Sequence, residues 1–321
     1  MGRHVLVTGA TGFVATALCE VLLQRSFTVS GATRRPDKLP VGVRPRRIGD
    51  IGPTTDWVDA LFTVDSVVHL AGRGHETLEG GKETLAEYRR LNVEGTRHLA
   101  ETAAAEGVRR FILVSTVTVH GETSKRPLSE TDPVAPVTPF AISRWEAEQT
   151  LHDIAARTPM TFTVLRVPMV YGPQVRGPFL ELMKACAGAE TFPIGGLRNQ
   201  RSFLFSANLA HAIRLALIHP KAAGKTYVLR DDEDLSTPQM VERLGSALGG
   251  FPRITPLPSR LLGVAAKLRG RAAPTDGLNE TLAVDDDTMR YQLDWEPPYS
   301  LEEGLAATVA WYRKISRSSE R

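Results

Sequence analysis

The chain has 321 residues, 42% of them hydrophobic, which is enough for one large α/β unit with a smaller second lobe. Its formal net charge of +3 excludes the strongly basic class of nucleic-acid and membrane-surface proteins. Cys19 and Cys186 are too few for a disulfide framework and lack the neighbours of a metal site. A strand-like run begins at once, and no apolar run approaches about 18 residues. We therefore expect a cytoplasmic protein that binds no metal, nucleic acid or membrane.

Predicted strands and helices alternate along most of the chain. The apolar or β-branched runs that predict strands are residues 5–8, 27–32, 64–71, 111–115 and 161–167. Helical patterns cover residues 85–106, 140–156, 208–219, 238–248, 258–268 and 301–314. This order predicts right-handed βαβ units, and therefore an α/β fold with a Rossmann-type, doubly wound parallel sheet.

A glycine-rich segment, TGATGFVA at residues 8–15, lies between the first predicted strand and a helix. Glycines are needed in such a turn because side chains would keep the backbone N–H groups away from a pyrophosphate. The positive end of the following helix also favours that anion. The spacing predicts a dinucleotide-binding turn made by Gly9, Thr11, Gly12, Phe13 and Val14.

The regular alternation of elements fades after Tyr171, where Gly, Pro and short helices become frequent. We predict an NAD(P)-binding Rossmann domain over residues 1–170. Residues 171–321 are expected to form a smaller C-terminal α/β lobe for substrate, interleaved with the last elements of the sheet.

Further motifs follow the glycine turn in a fixed order: DI at 50–51, HLAG at 69–72, NVEGT at 92–96, STVTVHG at 115–121, RVPMVYGP at 166–173 and RSF at 201–203. This series resembles the extended short-chain dehydrogenase/reductases, in particular the NAD(P)-dependent nucleotide-sugar epimerase/dehydratase family. The resemblance covers nearly the whole chain. Its C-terminal segments, at 198–202, 282–285 and 295–305, are similar to bacterial UDP-sugar 4-ketoreductases and 4-epimerases.

The resemblance implies a role for each matched position. Asp50 and Ile51 would meet the adenine. The rest of the cofactor would be bound by Leu70, Ala71, Gly72, Asn92, Arg144, Val167 and Val170. A nucleotide-sugar substrate would meet Arg73 and Thr118, with Arg201 at its pyrophosphate. His69 and Tyr171 are interpreted as residues of the core and of a turn.

The choice of cofactor follows from the end of the second predicted strand. An NAD site usually has an acidic residue about 20 residues after the glycines, whereas residues 30–35 read SGATRR, with no carboxylate before Asp37. Because a guanidinium pairs well with a phosphate, NADP is favoured over NAD, with Arg34 as the leading contact. The alternative is that Arg34 and Arg35 are solvated loop charges. Arg44, Arg46 and Arg47 are likewise interpreted as charges on a solvated loop, which could lie near the cofactor.

The catalytic positions depart from the family pattern, which has a Ser/Thr and a Tyr-x-x-x-Lys pair. Thr116 matches the first of these, but Phe140 stands at the Tyr position and Arg144 at the Lys position. Phe140 has no proton to exchange. Arg144 keeps a positive charge that can bind the nicotinamide ribose, but it does not relay protons. His75 and His120 are the candidates for another proton donor.

Three functions remain open at this point. The favoured one is an NAD(P)-dependent oxidoreductase that carries out 4-keto reduction or 4-epimerisation of a nucleotide-activated sugar with an atypical proton donor. The second is a catalytically silent regulatory or scaffold protein that binds cofactor, sugar nucleotide or a partner enzyme. The third is a reductase of a non-sugar carbonyl. The family resemblance also implies a homodimer formed through the helices at 85–106 and 140–156.

Overall fold

The computed structural model describes residues 4–74, 84–188, 191–250, 252–256 and 278–319. Its strands are β1 His4–Thr8, β2 Thr28–Thr33, β3 Arg44–Arg47, β4 Ser66–His69, β5 Arg110–Thr116, β6 Thr161–Val167, β7 Met169–Tyr171, β8 Thr191–Phe192, β9 Phe203–Phe205, β10 Lys225–Val228 and β11 Arg253–Ile254. Its α-helices are α1 Phe13–Gln24, α2 Val58–Leu61, α3 Leu85–Tyr88, α4 Gly95–Ala105, α5 Pro139–Ala155, α6 Pro178–Ala187, α7 Ser206–Ile218, α8 Thr237–Leu248, α9 Asp287–Leu293 and α10 Leu301–Ser319.

Seven parallel strands form the main sheet in the order β10-β6-β5-β4-β1-β2-β3. Along β1, Val5 and Val7 pack into a core with α1 and α7, whereas Leu6 packs into a second core with α4 and α5. Alternate side chains therefore enter opposite layers, as expected for a sheet covered on both faces. The α/β fold with a doubly wound parallel sheet is confirmed.

The sheet differs from the sequence prediction at both edges. The segment with Arg44, Arg46 and Arg47 is not a loop but the edge strand β3, which pairs with β2, although Arg44 and Arg47 are exposed to solvent as expected. Arg46 donates hydrogen bonds to the carbonyls of Asp59 and Phe62, so its charge does not prevent a packed position. Arginines suit an edge strand because charge discourages pairing with another chain. The other edge is β10, a strand that the sequence did not predict.

The helix predicted over residues 85–106 is divided into three parts. A capping box at Thr84 begins α3, and the segment Arg89–Glu94 then takes π-helical geometry before α4. A single π-helical turn inside a helix is often found at functional sites. In this chain it contains Asn92, one of the predicted cofactor residues.

A third core, which we call the core of the second lobe, is formed by α6, α8 and α10, with the small parallel sheets β11-β8 and β7-β9. Tyr171 is buried there and its hydroxyl donates to Asp231, in agreement with its interpretation as a structural residue. In contrast, α7 packs on α1, and β10 pairs with β6 in the main sheet. The helix predicted over residues 258–268 lies outside the described residues.

Candidate active site

A cleft of about 630 Å³ lies at the carboxyl ends of β1, β2 and β4. The strand order reverses beside β1, and ligands of open α/β sheets bind at such a switch point. Ten predicted site residues line the cleft, namely Gly9, Thr11, Gly12, Arg34, Asp50, Ile51, Leu70, Ala71, Gly72 and Arg73.

The glycine turn closes tightly against the end of β4. Gly9 has a φ of +64°, and a Cβ atom there would lie 2.9 Å from the backbone nitrogen of Ala71. The amide of Gly12 donates to the carbonyl of Gly9 at 2.8 Å, and Gly12 is the N-cap of α1 without a side chain of its own. A larger residue at Gly9 would be strained and would meet the cleft wall. The turn therefore fits a pyrophosphate held against backbone N–H groups.

Several arginines line the cleft. Arg34 donates to the Asp50 carboxylate at 2.5 Å, and both side chains are exposed. Arg35, Arg90 and Arg176 line the same cleft, although the sequence analysis gave the last two no role. Arg90 lies two residues before the predicted site residue Asn92, and Arg176 lies in the loop after the YGP motif. Their positions next to these motifs are the only features of the sequence that indicate a place in the site. The positive charge of these arginines suits an anionic ligand.

Arg144 is a buried cation beside the cleft wall. A Cβ atom at Gly72 would lie 2.5 Å from its Nη2, so the glycine makes room for the guanidinium. Burial lowers the pKa of Arg144 to about 10, while Glu148 favours its charged form. The residue is only 7% exposed, and its Nη1 atom has no hydrogen-bond partner among the residues that the structure describes. A buried donor without a partner is unfavourable, which suits a site where a ligand hydroxyl accepts this bond. Arg144 and the space beside Gly72 therefore fit a nicotinamide ribose.

Asn92 links the cleft wall to α5. Its Oδ1 accepts a bond from the backbone nitrogen of Arg73 at 2.8 Å, and its Nδ2 donates to Ser143 Oγ at 2.9 Å. The side chain is buried, so it acts from behind the cleft rather than on its surface. Its amide thus fixes the loop after β4 relative to the helix that carries Arg144.

Phe140 lies in the first turn of α5, which Thr138 caps. The guanidinium carbon of Arg144 is 5.5 Å from the centroid of the Phe140 ring. Thr116 ends β5, and its Oγ1 lies 3.0 Å from the Oγ1 of Thr118. Spacing along α5 therefore brings positions 140 and 144 together, as the resemblance implied, with residue types that hold a charge but no exchangeable phenol.

His120 is held inside a buried polar network. Its Nδ1 donates to the carbonyl of Pro133 at 3.2 Å, and its Nε2 accepts from Arg166, which also pairs with the fully buried Glu148. Burial and the charge of Arg166 lower the pKa of His120. The ring is therefore neutral with both nitrogens engaged, which does not favour proton donation to a ligand.

The histidine at the end of β4 is a core residue, as predicted. His69 shares hydrogen bonds with Thr8 Oγ1 at 2.7 Å and Thr96 Oγ1 at 3.0 Å. Burial lowers its pKa to about 3. His75, the other candidate proton donor, lies outside the described residues.

The remaining predicted residues lie away from the cleft lining. Phe13 packs toward the core of the second lobe, whereas the main core takes up Val14, Val167 and Val170. Arg201 is buried and donates through Nη1 to the carbonyl of Glu280, whereas its Nε has no partner within the described parts of the chain. Its role at a pyrophosphate stays a prediction.

Neither a metal centre nor a membrane span is found in the part of the chain that the structure describes. No group of three or more His, Cys, Asp or Glu side chains there is arranged to hold a metal ion. The described helices also include none with the length and apolar character needed to cross a bilayer.

The fold and the glycine turn define a nucleotide-binding α/β protein, and comparison with known families assigns the class. Residues 5–229 match the NAD dependent epimerase/dehydratase family, and the chain belongs to this family. The family predicted from the motifs is thereby confirmed.

Characterised relatives match over nearly their whole length. A UDP-glucose 4-epimerase of Vibrio cholerae is 35% identical over 96% of this chain and 95% of its own. An N-acetyl-alpha-D-glucosaminyl-diphospho-ditrans,octacis-undecaprenol 4-epimerase of Escherichia coli O157:H7 is 26% identical over 97% and 96%. The structure of MoeE5 with UDP-glucuronic acid and NAD is also similar, with a TM-score of 0.78 and 25% identity over 97% of this chain and 99% of that one.

Proposed function

We propose that this protein is an NAD(P)-dependent oxidoreductase or epimerase that acts at C4 of a UDP-activated sugar. The observation that carries the proposal is the pairing of a glycine-turn cleft with the buried, incompletely bonded guanidinium of Arg144. The Vibrio relative, a UDP-glucose 4-epimerase, supports the substrate class.

A bound nicotinamide supplies or accepts the hydride, and the chain orients the reactants. Gly9 lets the turn close against the end of β4, so that backbone N–H groups at the start of α1 face the pyrophosphate, and Arg144 donates to a ribose hydroxyl. Thr116 offers a hydroxyl for the sugar oxygen at C4, and Arg73 and Arg201 are assigned to the nucleotide sugar. Phe140 takes no part in proton transfer.

NADP is the proposed cofactor in preference to NAD. Arg34 lies at the end of β2, and its partner Asp50 holds it at the cleft rim. A 2′-phosphate would give this guanidinium a second anionic partner, and Arg35 adds charge beside it. A homodimer is proposed through α4 and α5, which already pack on each other on one side of the sheet.

A catalytically silent binding protein is the second candidate, favoured by the aromatic ring without a hydroxyl at position 140. Both candidates predict that NADPH and a UDP-sugar raise the melting temperature, because ligands stabilise the native state they bind. Only the enzyme turns over a UDP-hexose or a UDP-4-keto sugar with a change in cofactor absorbance. Absence of both thermal shifts would contradict both functions.

The proposed dimer is tested by light scattering at micromolar concentration, where a monomer would contradict it.

A further inference from the structure

Reduction of a sugar ketone needs a proton for the carbonyl oxygen, and neither Phe140 nor the two engaged histidines, His69 and His120, provides one. Phenols are among the groups that perform this step in enzymes. The chain contains six tyrosines, and the structure describes all of them. Their positions can therefore be compared one by one.

Five of the six tyrosines serve other parts of the molecule. The hydroxyl of Tyr171 donates to Asp231 at 2.9 Å in the second lobe, and that of Tyr227 donates to Gln292 at 3.1 Å. Three others lie in the last part of the chain, on α9, before α10 and on α10: Tyr291, Tyr299 and Tyr312. None of the six tyrosines lines the cofactor cleft directly, so the contacts of each hydroxyl decide which one lies behind its wall.

Tyr88 is placed differently. It ends α3, is buried, and its ring meets the ring of Phe140 edge-on, with centroids 6.2 Å apart and planes at 64°. Its hydroxyl donates to the carbonyl of Gly74 at 3.1 Å, and Gly74 lines the cleft. The phenol therefore touches both the residue that stands at the family's Tyr position and the wall of the cofactor cleft.

The surroundings of this phenol suit proton transfer. Arg144 lies 5.5 Å from the centroid of the Phe140 ring, and Tyr88 packs on the same ring, so one aromatic side chain contacts both the phenol and the guanidinium. The buried ring is held by Phe140, so the hydroxyl has a defined position. Rotation about its C–O bond redirects the proton from Gly74 to a ligand without movement of the ring.

We infer that Tyr88, on the basis of the function proposed above, is the proton donor that replaces the missing phenol at position 140. During reduction, the Tyr88 O–H bond breaks and its proton forms an O–H bond with the sugar oxygen. The carbonyl carbon accepts the hydride that a reduced nicotinamide supplies, so the ketone becomes an alcohol. Water at the cleft mouth then returns a proton to the phenolate. The opposite direction uses the same steps in reverse.

The test compares Tyr88→Phe with Tyr291→Phe. Tyr88→Phe keeps the ring that packs on Phe140, and Tyr291 is 91% exposed on α9, so each variant loses one hydroxyl with little change in packing. We expect kcat of Tyr88→Phe to fall about a hundredfold or more, with KM and NADPH affinity within about twofold of the wild type. Tyr291→Phe should retain wild-type kcat. A Tyr88→Phe variant with wild-type kcat would overturn the inference.

A second measurement separates this inference from the proposed function. The ultraviolet difference spectrum of the tyrosines is recorded on addition of NADPH and a UDP-sugar to the wild type and both variants. We expect a ligand-induced signal in the wild type and in Tyr291→Phe that is lost in Tyr88→Phe. If the wild type shows no turnover, the enzymatic function fails, and this signal still decides whether the Tyr88 phenol meets the ligand. An identical signal in Tyr88→Phe would overturn the inference.

Discussion

The glycine turn and the start of α5 face the same proposed cofactor, but they depend on different parts of the chain. At Gly9 and Gly12 the functional groups are backbone atoms, and the requirement is the absence of side chains. At Phe140 and Arg144 the functional groups are the side chains themselves. We therefore expect that cofactor binding and the chemistry beside it can be changed separately, because different residues set the two properties.

The largest expected effect moves the phenol back to α5. In a Tyr88→Phe background, Phe140→Tyr with Arg144→Lys should raise kcat by about a hundredfold to ten-thousandfold, the usual contribution of general acid catalysis. Positions four apart share a helix face, so the new phenol and ammonium would lie together. Arg144→Lys alone in that background is the control and should stay slow. No gain in a triple variant that still binds NADPH would contradict the separation of binding from chemistry.

One added methyl group in the glycine turn at Gly9 should greatly weaken cofactor binding. Gly9→Ala places a Cβ atom 2.9 Å from the Ala71 nitrogen at a φ of +64°, and we expect NADPH affinity to fall about a hundredfold or more by calorimetric titration. Gly107→Ala is the matched control, because Gly107 has a φ of +80° with no atom within 4 Å of the added Cβ. Equal losses of affinity in both variants would point to general destabilisation instead.

Acid should lower the free energy of unfolding through His69, which lies at the end of β4 next to the glycine turn. Because burial lowers the pKa of His69 to about 3 against about 6.5 in an unfolded chain, the unfolded state takes up the proton first. This contribution to stability is complete above pH 6.5 and declines as the pH falls, by about 2 kcal/mol at pH 5. Urea unfolding at pH 7.5 and 5 should show a smaller decline in His69→Asn. An equal decline in both proteins would assign the effect to other groups.

The choice of cofactor should change least. Arg34→Ala removes the guanidinium proposed for the 2′-phosphate, and we expect NADPH affinity to fall about tenfold while NADH affinity is retained. Arg157→Ala removes a surface arginine that pairs with Glu101 and serves as the control. Equal affinity of the wild type for both cofactors, unchanged in Arg34→Ala, would remove the preference for NADP.

The sequence predicts the sheet and the glycine turn well because both depend on local patterns. Strand β6 has the predicted bounds, and Gly9 and Gly12 line the cleft as expected. The π-helical turn and the strand β3 were not predicted, since Arg46 gains its packed position only through carbonyls distant in sequence. A role for Tyr88 was not predicted for a similar reason, because its ring contacts Phe140 from another helix. Contacts between distant segments carry no periodic signal in one sequence.

The most direct test of the account is a calorimetric titration of the wild-type chain with NADPH and with NADH. We expect one dinucleotide to bind per chain, with NADPH the tighter ligand, although position 140 carries no phenol. Failure of both cofactors to bind would contradict the proposed function, because the glycine turn, the arginines that line the cleft and Arg144 would then not form a cofactor site.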